Sequence, residues 1–158
     1  MQDNVFILPA RESTDPGRKS IHNLPAQLTP LIGREQEVAA SCALLRRPEV
    51  RLFTLSGTGG IGKTRLALRV ATDLLDDFPD GVCLVLLAPI SDPDLVIPTV
   101  AQTLGVKEAA ARPLLDLLKA HLQDKHLLLV LDNFEQVINA APVLTELLES
   151  STSLKPAV

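Results

Sequence analysis

An α/β domain with a mainly parallel sheet is the fold class this sequence predicts, and three observations carry it. Short, continuously apolar runs at 82–87 and 127–131 read as strands covered on both faces. Stretches with apolar residues three or four apart lie around them and read as helices. The two kinds of segment alternate along the chain, which is the signature of strand–helix–strand units. The 158 residues suit one globular domain, and 46% hydrophobic with 22% charged residues excludes a wholly disordered or fibrous chain.

Each element follows from local chemistry. In residues 11–20, Asp, Arg, Ser, Pro, Gly and Lys are crowded together without an apolar period, so residues 1–29 are expected to be a disordered tail or linker and residues 30–158 the domain. After Gly33, Glu35 and Glu37 suit a helix's first turn, and Val38, Cys42 and Leu45 recur at helical spacing before Pro48. Residues 51–56 form a short β-compatible run ending at a glycine cluster, hence a strand entering a tight loop. Leu66, Val70, Leu74 and Leu75 predict a helix over 63–76. Ser91-Asp92-Pro93 supplies a cap and a first-turn proline for a helix to about residue 104, with Gly105 beyond its end. Leu114, Leu115, Leu118 and Leu122 mark another helix, and a last one runs over about 135–149 with a bend expected at Pro142.

Composition narrows the function classes. A formal charge of -4 argues against a protein whose main task is coating nucleic acid. Four Phe and neither Trp nor Tyr leave no aromatic platform for single strands. Arg46-Arg47 and Arg65 with Arg69 are short basic groups on helices, read as solvated faces, and no helix-turn-helix signature stands out. Cys42 and Cys83 form no CxxC pair, and His22, His121 and His126 are scattered, so no structural metal cluster is expected. The longest apolar stretch, 82–90, is about half of the roughly 18 residues of a membrane span. A reduced, cytoplasmic protein without membrane contact is the expectation.

The strongest chemical signal is Gly57-Thr58-Gly59-Gly60-Ile61-Gly62-Lys63-Thr64, which satisfies G-x-x-x-x-G-K-[ST] with a strand before it and a helix after it. Glycines let the backbone close round phosphates with its N–H groups turned inward, and the helix N-terminus adds its positive dipole end. Lys63 is then the cation for the β- and γ-phosphates and Thr64 a Mg²⁺ ligand. Gly57 through Thr64, with Arg65 beyond them, are the nucleotide-binding candidates. The second signal is Leu127-Leu128-Leu129-Val130-Leu131-Asp132, an apolar strand delivering a carboxylate at its C-terminal end, where ligand crevices of open α/β sheets lie. Asp132 is expected in the Mg²⁺ shell; capping the last helix is its other reading. Beside it, Asn133 stands where many P-loop ATPases have an acidic residue, and an amide cannot take a proton at neutral pH. Glu135 is near enough to substitute, or is a first-turn residue favoured by the helix dipole.

Leu31-Ile32-Gly33-Arg34-Glu35, the glycine loop, Ala88-Pro89-Ile90-Ser91-Asp92-Pro93 and Leu129-Val130-Leu131-Asp132-Asn133-Phe134-Glu135 together resemble the nucleotide-binding domain of STAND-class signalling ATPases. More narrowly, they resemble the NB-ARC-like domain of large bacterial LuxR-type and AAA-like transcriptional regulators, over roughly residues 23–153. The resemblance implies a P-loop NTPase of three α/β/α layers that binds ATP or ADP with Mg²⁺ as a switch, its partners being flanking regulatory domains absent from this chain. It would place Arg34 in the base or ribose pocket; a solvated first-turn position is the alternative. Thr58 departs from the family, which usually has proline there. A larger departure is the C-terminus, since the class continues into another strand, seated between the loop strand and the Asp132 strand, and a helical subdomain. The resemblance therefore implies a C-terminally incomplete fragment of a longer regulator, binding weakly and hydrolysing negligibly alone. A self-standing P-loop ATPase or small kinase, and a helical interaction protein without nucleotide, are the rival readings.

Overall fold

The computed structural model describes residues 5–9, 22–27, 29–58, 60 and 62–150. Strand β1 is Val5–Pro9, helix α1 Glu35–Leu45, strand β2 Phe53–Leu55 and helix α2 Lys63–Asp73, followed by a 3-10 turn at Leu75–Asp77. Strand β3 is Gly81–Leu86; after a 3-10 turn at Pro93–Leu95 come helices α3 (Val96–Leu104) and α4 (Leu114–Leu122). Strand β4 is Leu127–Asp132, and the chain continues through a 3-10 segment, Phe134–Ala140, into helix α5, Ala141–Ser150.

Local chemistry explains most of these boundaries. Asp92 accepts from the Asp94 N–H at 3.0 Å and caps the turn that leads into α3. Gly105 closes α3 at φ +71, a left-handed position that only glycine takes without cost. β3 and β4 are buried along their length apart from Leu86, so the period-two pleat sends alternate residues into two apolar clusters on opposite faces. Val82, Leu84, Leu128 and Val130 join residues of α1 and α2, Cys42, Leu66 and Val70 among them. Cys83, Val85, Leu129 and Leu131 join residues of α3, α4 and α5, including Val100, Leu118 and Leu144.

The sheet order is β2-β1-β4-β3. β3 and β4 pair in parallel from Gly81↔Leu127 to Leu86↔Asp132. β1 runs antiparallel to both its neighbours, β2 and β4. The expected parallel pairing is found between β3 and β4, and β2 shares their direction, but a reversed strand separates β2 from β4.

That strand comes from the segment expected to be a tail. Its Val-Phe-Ile-Leu run is apolar and rich in β-formers, and two rows of main-chain donors and acceptors flank it; the sequence expectation followed the polar composition of 11–20 instead. The later part of the same segment is also fastened. His22 bridges to Val82, and the Asn23 side-chain amide donates to Leu84 O at 2.8 Å while its oxygen accepts from Leu84 N at 2.6 Å. The Arg65 guanidinium donates to Thr29 Oγ1 at 2.7 Å and to Thr29 O at 3.1 Å.

The last helix is a second difference. It breaks at Val137 (φ -125, ψ 34), upstream of Pro142, which lies in the first turn of α5, where a missing N–H costs no hydrogen bond. The Leu-Lys-Pro end of the chain, residues 154–156, lies outside the described residues.

Candidate functional site

β2 ends at Leu55, and the chain must turn back into α2 within a few residues. Gly60 and Gly62 make this possible at φ +83 and +77, where an L side chain would be strained. Gly62 is the N-cap of α2, so the first N–H groups of that helix, those of Lys63, Thr64 and Arg65, have no acceptor within it. The Lys63 side chain folds back under the loop: its ammonium donates to Gly57 O at 2.9 Å and Thr58 O at 2.7 Å, and the residue is only 5% exposed.

β4 brings Asp132 to the same place. The Thr64 hydroxyl donates to Asp132 Oδ1 at 3.0 Å, a contact between residues 68 apart in sequence. Asp132 is 6% exposed, and burial of a carboxylate is tolerated when its oxygens are bonded. Lys63, Thr64 and Asp132 are therefore brought together, which the two motifs alone could not establish.

Around them the structure places the other candidates. Asn133 stands at φ +64, the one left-handed non-glycine among the described residues, and its amide donates to Glu135 Oε1 at 3.3 Å. Asn tolerates this conformation better than most residues, and such positions cluster at functional sites. Arg34 lies beside the start of α2, since a Cβ added to Gly62 would stand 3.9 Å from its Nη1. Two charge-assisted bonds from Arg34 to Glu37 hold that guanidinium; they raise the Arg34 pKa, and Arg34 in turn keeps the Glu37 carboxyl below its ordinary range. The Arg34-x-x-Glu37 spacing was legible in sequence, but the pair was not anticipated. The Arg65 guanidinium donates to Thr29 and Pro30. Gly59 and Ile61 lie outside the described residues.

The donor set suits a polyphosphate with a hard cation. The N–H groups of a helix N-terminus and a buried ammonium match phosphate oxygens, and hydroxyl and carboxylate oxygens match Mg²⁺. Among the described residues no group of three or more His, Cys, Asp or Glu could hold a metal by itself. Such a cation would need phosphate oxygens and water to complete its shell, as Mg²⁺ commonly does. Among the described residues no helix is long and apolar enough to cross a membrane.

Comparison with known proteins finds related chains. A putative HTH-type transcriptional regulator of Mycobacterium tuberculosis is 40% identical over 105 residues, covering 66% of this chain and 12% of the relative. An uncharacterized protein of the same organism is 33% identical over 134 residues, covering 84% of this chain and 34% of its own length. The regulatory protein AfsR of Streptomyces griseus is 30% identical over 132 residues, 77% of this chain and 14% of AfsR. The chain thus spans between about an eighth and a third of the length of these relatives. No solved structure matches it significantly. The profile of the AAA domain family matches residues 48–155, a span that includes the glycine loop, Lys63, Thr64 and Asp132, and the chain belongs to that family.

Proposed function

We propose that this chain is the nucleotide-binding regulatory module of a STAND-type signalling ATPase, part of a transcriptional regulator, with an NB-ARC-like α/β/α domain over residues 30–158 and strand β1 built into its sheet. The observation that carries the reading is the meeting of Thr64 and Asp132 beside the buried Lys63 ammonium. The names of the relatives support the regulatory half. ATP or ADP would lie on the loop 57–64, its phosphates taken by the main-chain N–H groups and by Lys63. Thr64 and Asp132 would hold Mg²⁺, which neutralises charge between the phosphates. Arg34, tethered by Glu37, would face the base and ribose side.

The same residues imply slow chemistry. Asn133 cannot accept a proton, and the Glu135 carboxylate beside it already receives the Asn133 amide. Exchange of ADP for ATP, rather than turnover, would alter how flanking domains pack. Contact with DNA and the signal that sets the switch belong to those flanking domains, and the module would work in the cytoplasm.

Calorimetry with Mg-ADP tests the loop. Lys63→Ala should remove most of the affinity; equal binding by the variant and the parent would show that the loop is not a phosphate site.

A further inference from the structure

The two halves of the site stand on β2 and β4, and these strands do not pair with each other. The sheet order is β2-β1-β4, so the ladder that joins them runs through β1. Neighbouring strands lie about 4.8 Å apart, so β2 and β4 face each other across roughly twice that distance with β1 filling the gap. β2 is three residues long and sits at the sheet edge, so its described ladder is the one to β1. The register carries the point further. Val5 stands opposite Leu55, two residues before Gly57, and Phe6 stands opposite Leu131, immediately before Asp132. The first residues of β1 therefore clamp the last residues of both site-bearing strands.

We propose that β1 is a positioning strand: by pairing with β2 and β4 at their carboxyl ends it sets the separation between the phosphate loop and the Asp132 carboxylate, so that Thr64 and Asp132 can share one cation. β1 runs against three strands of common direction. The part of the proposal that concerns Mg²⁺ rests on the nucleotide reading; the part that concerns the sheet does not.

Two sets of experiments separate these parts. Without any nucleotide, a Val5→Cys, Leu55→Cys chain should close an internal disulfide on mild oxidation, because directly opposed antiparallel residues have Cα atoms about 4.5–5.5 Å apart, inside the bridging range. Ile7→Cys with Leu55→Cys, two residues out of register, should close far more slowly. The native Cys42 and Cys83 are buried and stay out of the reaction. Exchange of those amides over Thr54–Leu55 and Leu129–Leu131 that point to β1 should be slow in the full chain, fast after deletion of residues 1–12, and slow again when a peptide of residues 3–11 is added, while the β4 amides that point to β3 stay slow throughout. Equal closure of both cysteine pairs, or unchanged exchange after deletion, would overturn the placement.

With nucleotide, the deletion should weaken ADP binding in Mg²⁺ by roughly 10–100-fold, the range for losing the support behind a metal ligand, and ADP binding in EDTA by much less. The peptide should restore the difference. If the deletion abolishes the cooperative transition, Ile7→Pro in the full chain, which removes one N–H from the doubly paired strand, carries the same measurement. Equal losses with and without Mg²⁺ would mean that β1 only stabilises the fold. Absence of ADP binding by the parent chain would sink the nucleotide reading and leave the disulfide and exchange results to decide the strand.

Discussion

Asn23 offers a direct test of the N-terminal arm. It lies in a stretch whose composition predicts a tail, yet its amide makes two hydrogen bonds to one residue of β3, at 2.8 and 2.6 Å. Leu84 is thereby paired on its outer side, where β3 is the edge of the sheet. Asn23→Ala removes both bonds and puts nothing in their place. Each bond contributes about 0.5–1.5 kcal/mol net. Water can reach part of the exposed edge, so the lower half of the sum applies, about 1–2 kcal/mol. For a chain of this length that is a fall of roughly 2–8 °C in the thermal midpoint. Urea unfolding followed by far-ultraviolet dichroism should show the same loss with an unchanged slope, because little surface is added to the unfolded state. Asn23→Asp should be at least as damaging, since a carboxylate has no N–H for Leu84 O and places charge against it. An alanine variant within about 0.3 kcal/mol of the parent, or an aspartate variant as stable as the parent, would refute the clamp.

Two further outcomes follow from local geometry. Gly62→Ala meets open space, with only Arg34 Nη1 at 3.9 Å, but must hold φ +77, so it should lose about 1–2 kcal/mol from the strained backbone, read as a lower urea midpoint. His121 packs against Lys125 Nζ at 2.9 Å, and burial, then that neighbouring charge, push its pKa below the ordinary value. The folded state therefore favours the neutral ring: stability is full above the unfolded pKa of about 6.5 and falls as pH drops through it towards the lower folded value. Over that window His121→Gln should lose less thermal midpoint than the parent, and parallel midpoint curves would contradict the assignment.

Much of the fold was legible because its signals are local. The cap at Asp92, Gly105 at a helix end, and the apolar runs that became β3 and β4 each announce themselves within a few residues. The glycine loop and Asp132 were legible for the same reason, and their common direction of approach followed from strand polarity. What escaped was the non-local part. Val5–Pro9 carries a fair strand signal, but only two unpaired strand edges give a four-residue apolar run somewhere to go, and those edges exist only after β2 and β4 are in place. Asn23 is a single polar side chain whose role depends on an edge strand 61 residues away. Pro142 misled for the opposite reason: proline disturbs a helix interior, but the kink at Val137 moved it into a first turn.

The polar groups of the site are satisfied within the protein, and this has a consequence for what could bind there. Lys63 is bonded to Gly57 and Thr58, Thr64 to Asp132, Arg34 to Glu37, and Asn133 to Glu135. A neutral ligand would have to break these contacts for bonds of similar strength and gain little. A polyphosphate exchanges ammonium-to-carbonyl bonds for ammonium-to-phosphate bonds, which add the attraction of an opposite charge. A cation shared by Thr64 and Asp132 must displace the hydrogen bond between them, and the hydroxyl must turn from donor to ligand. Both exchanges act on the contact that joins the loop to β4, and β1 pairs with both strands that carry the halves of the site. On the proposed reading, occupancy by Mg-nucleotide is therefore felt first as a change in the fit of β2, β1 and β4, which is the kind of local exchange with a distributed consequence that a switch requires.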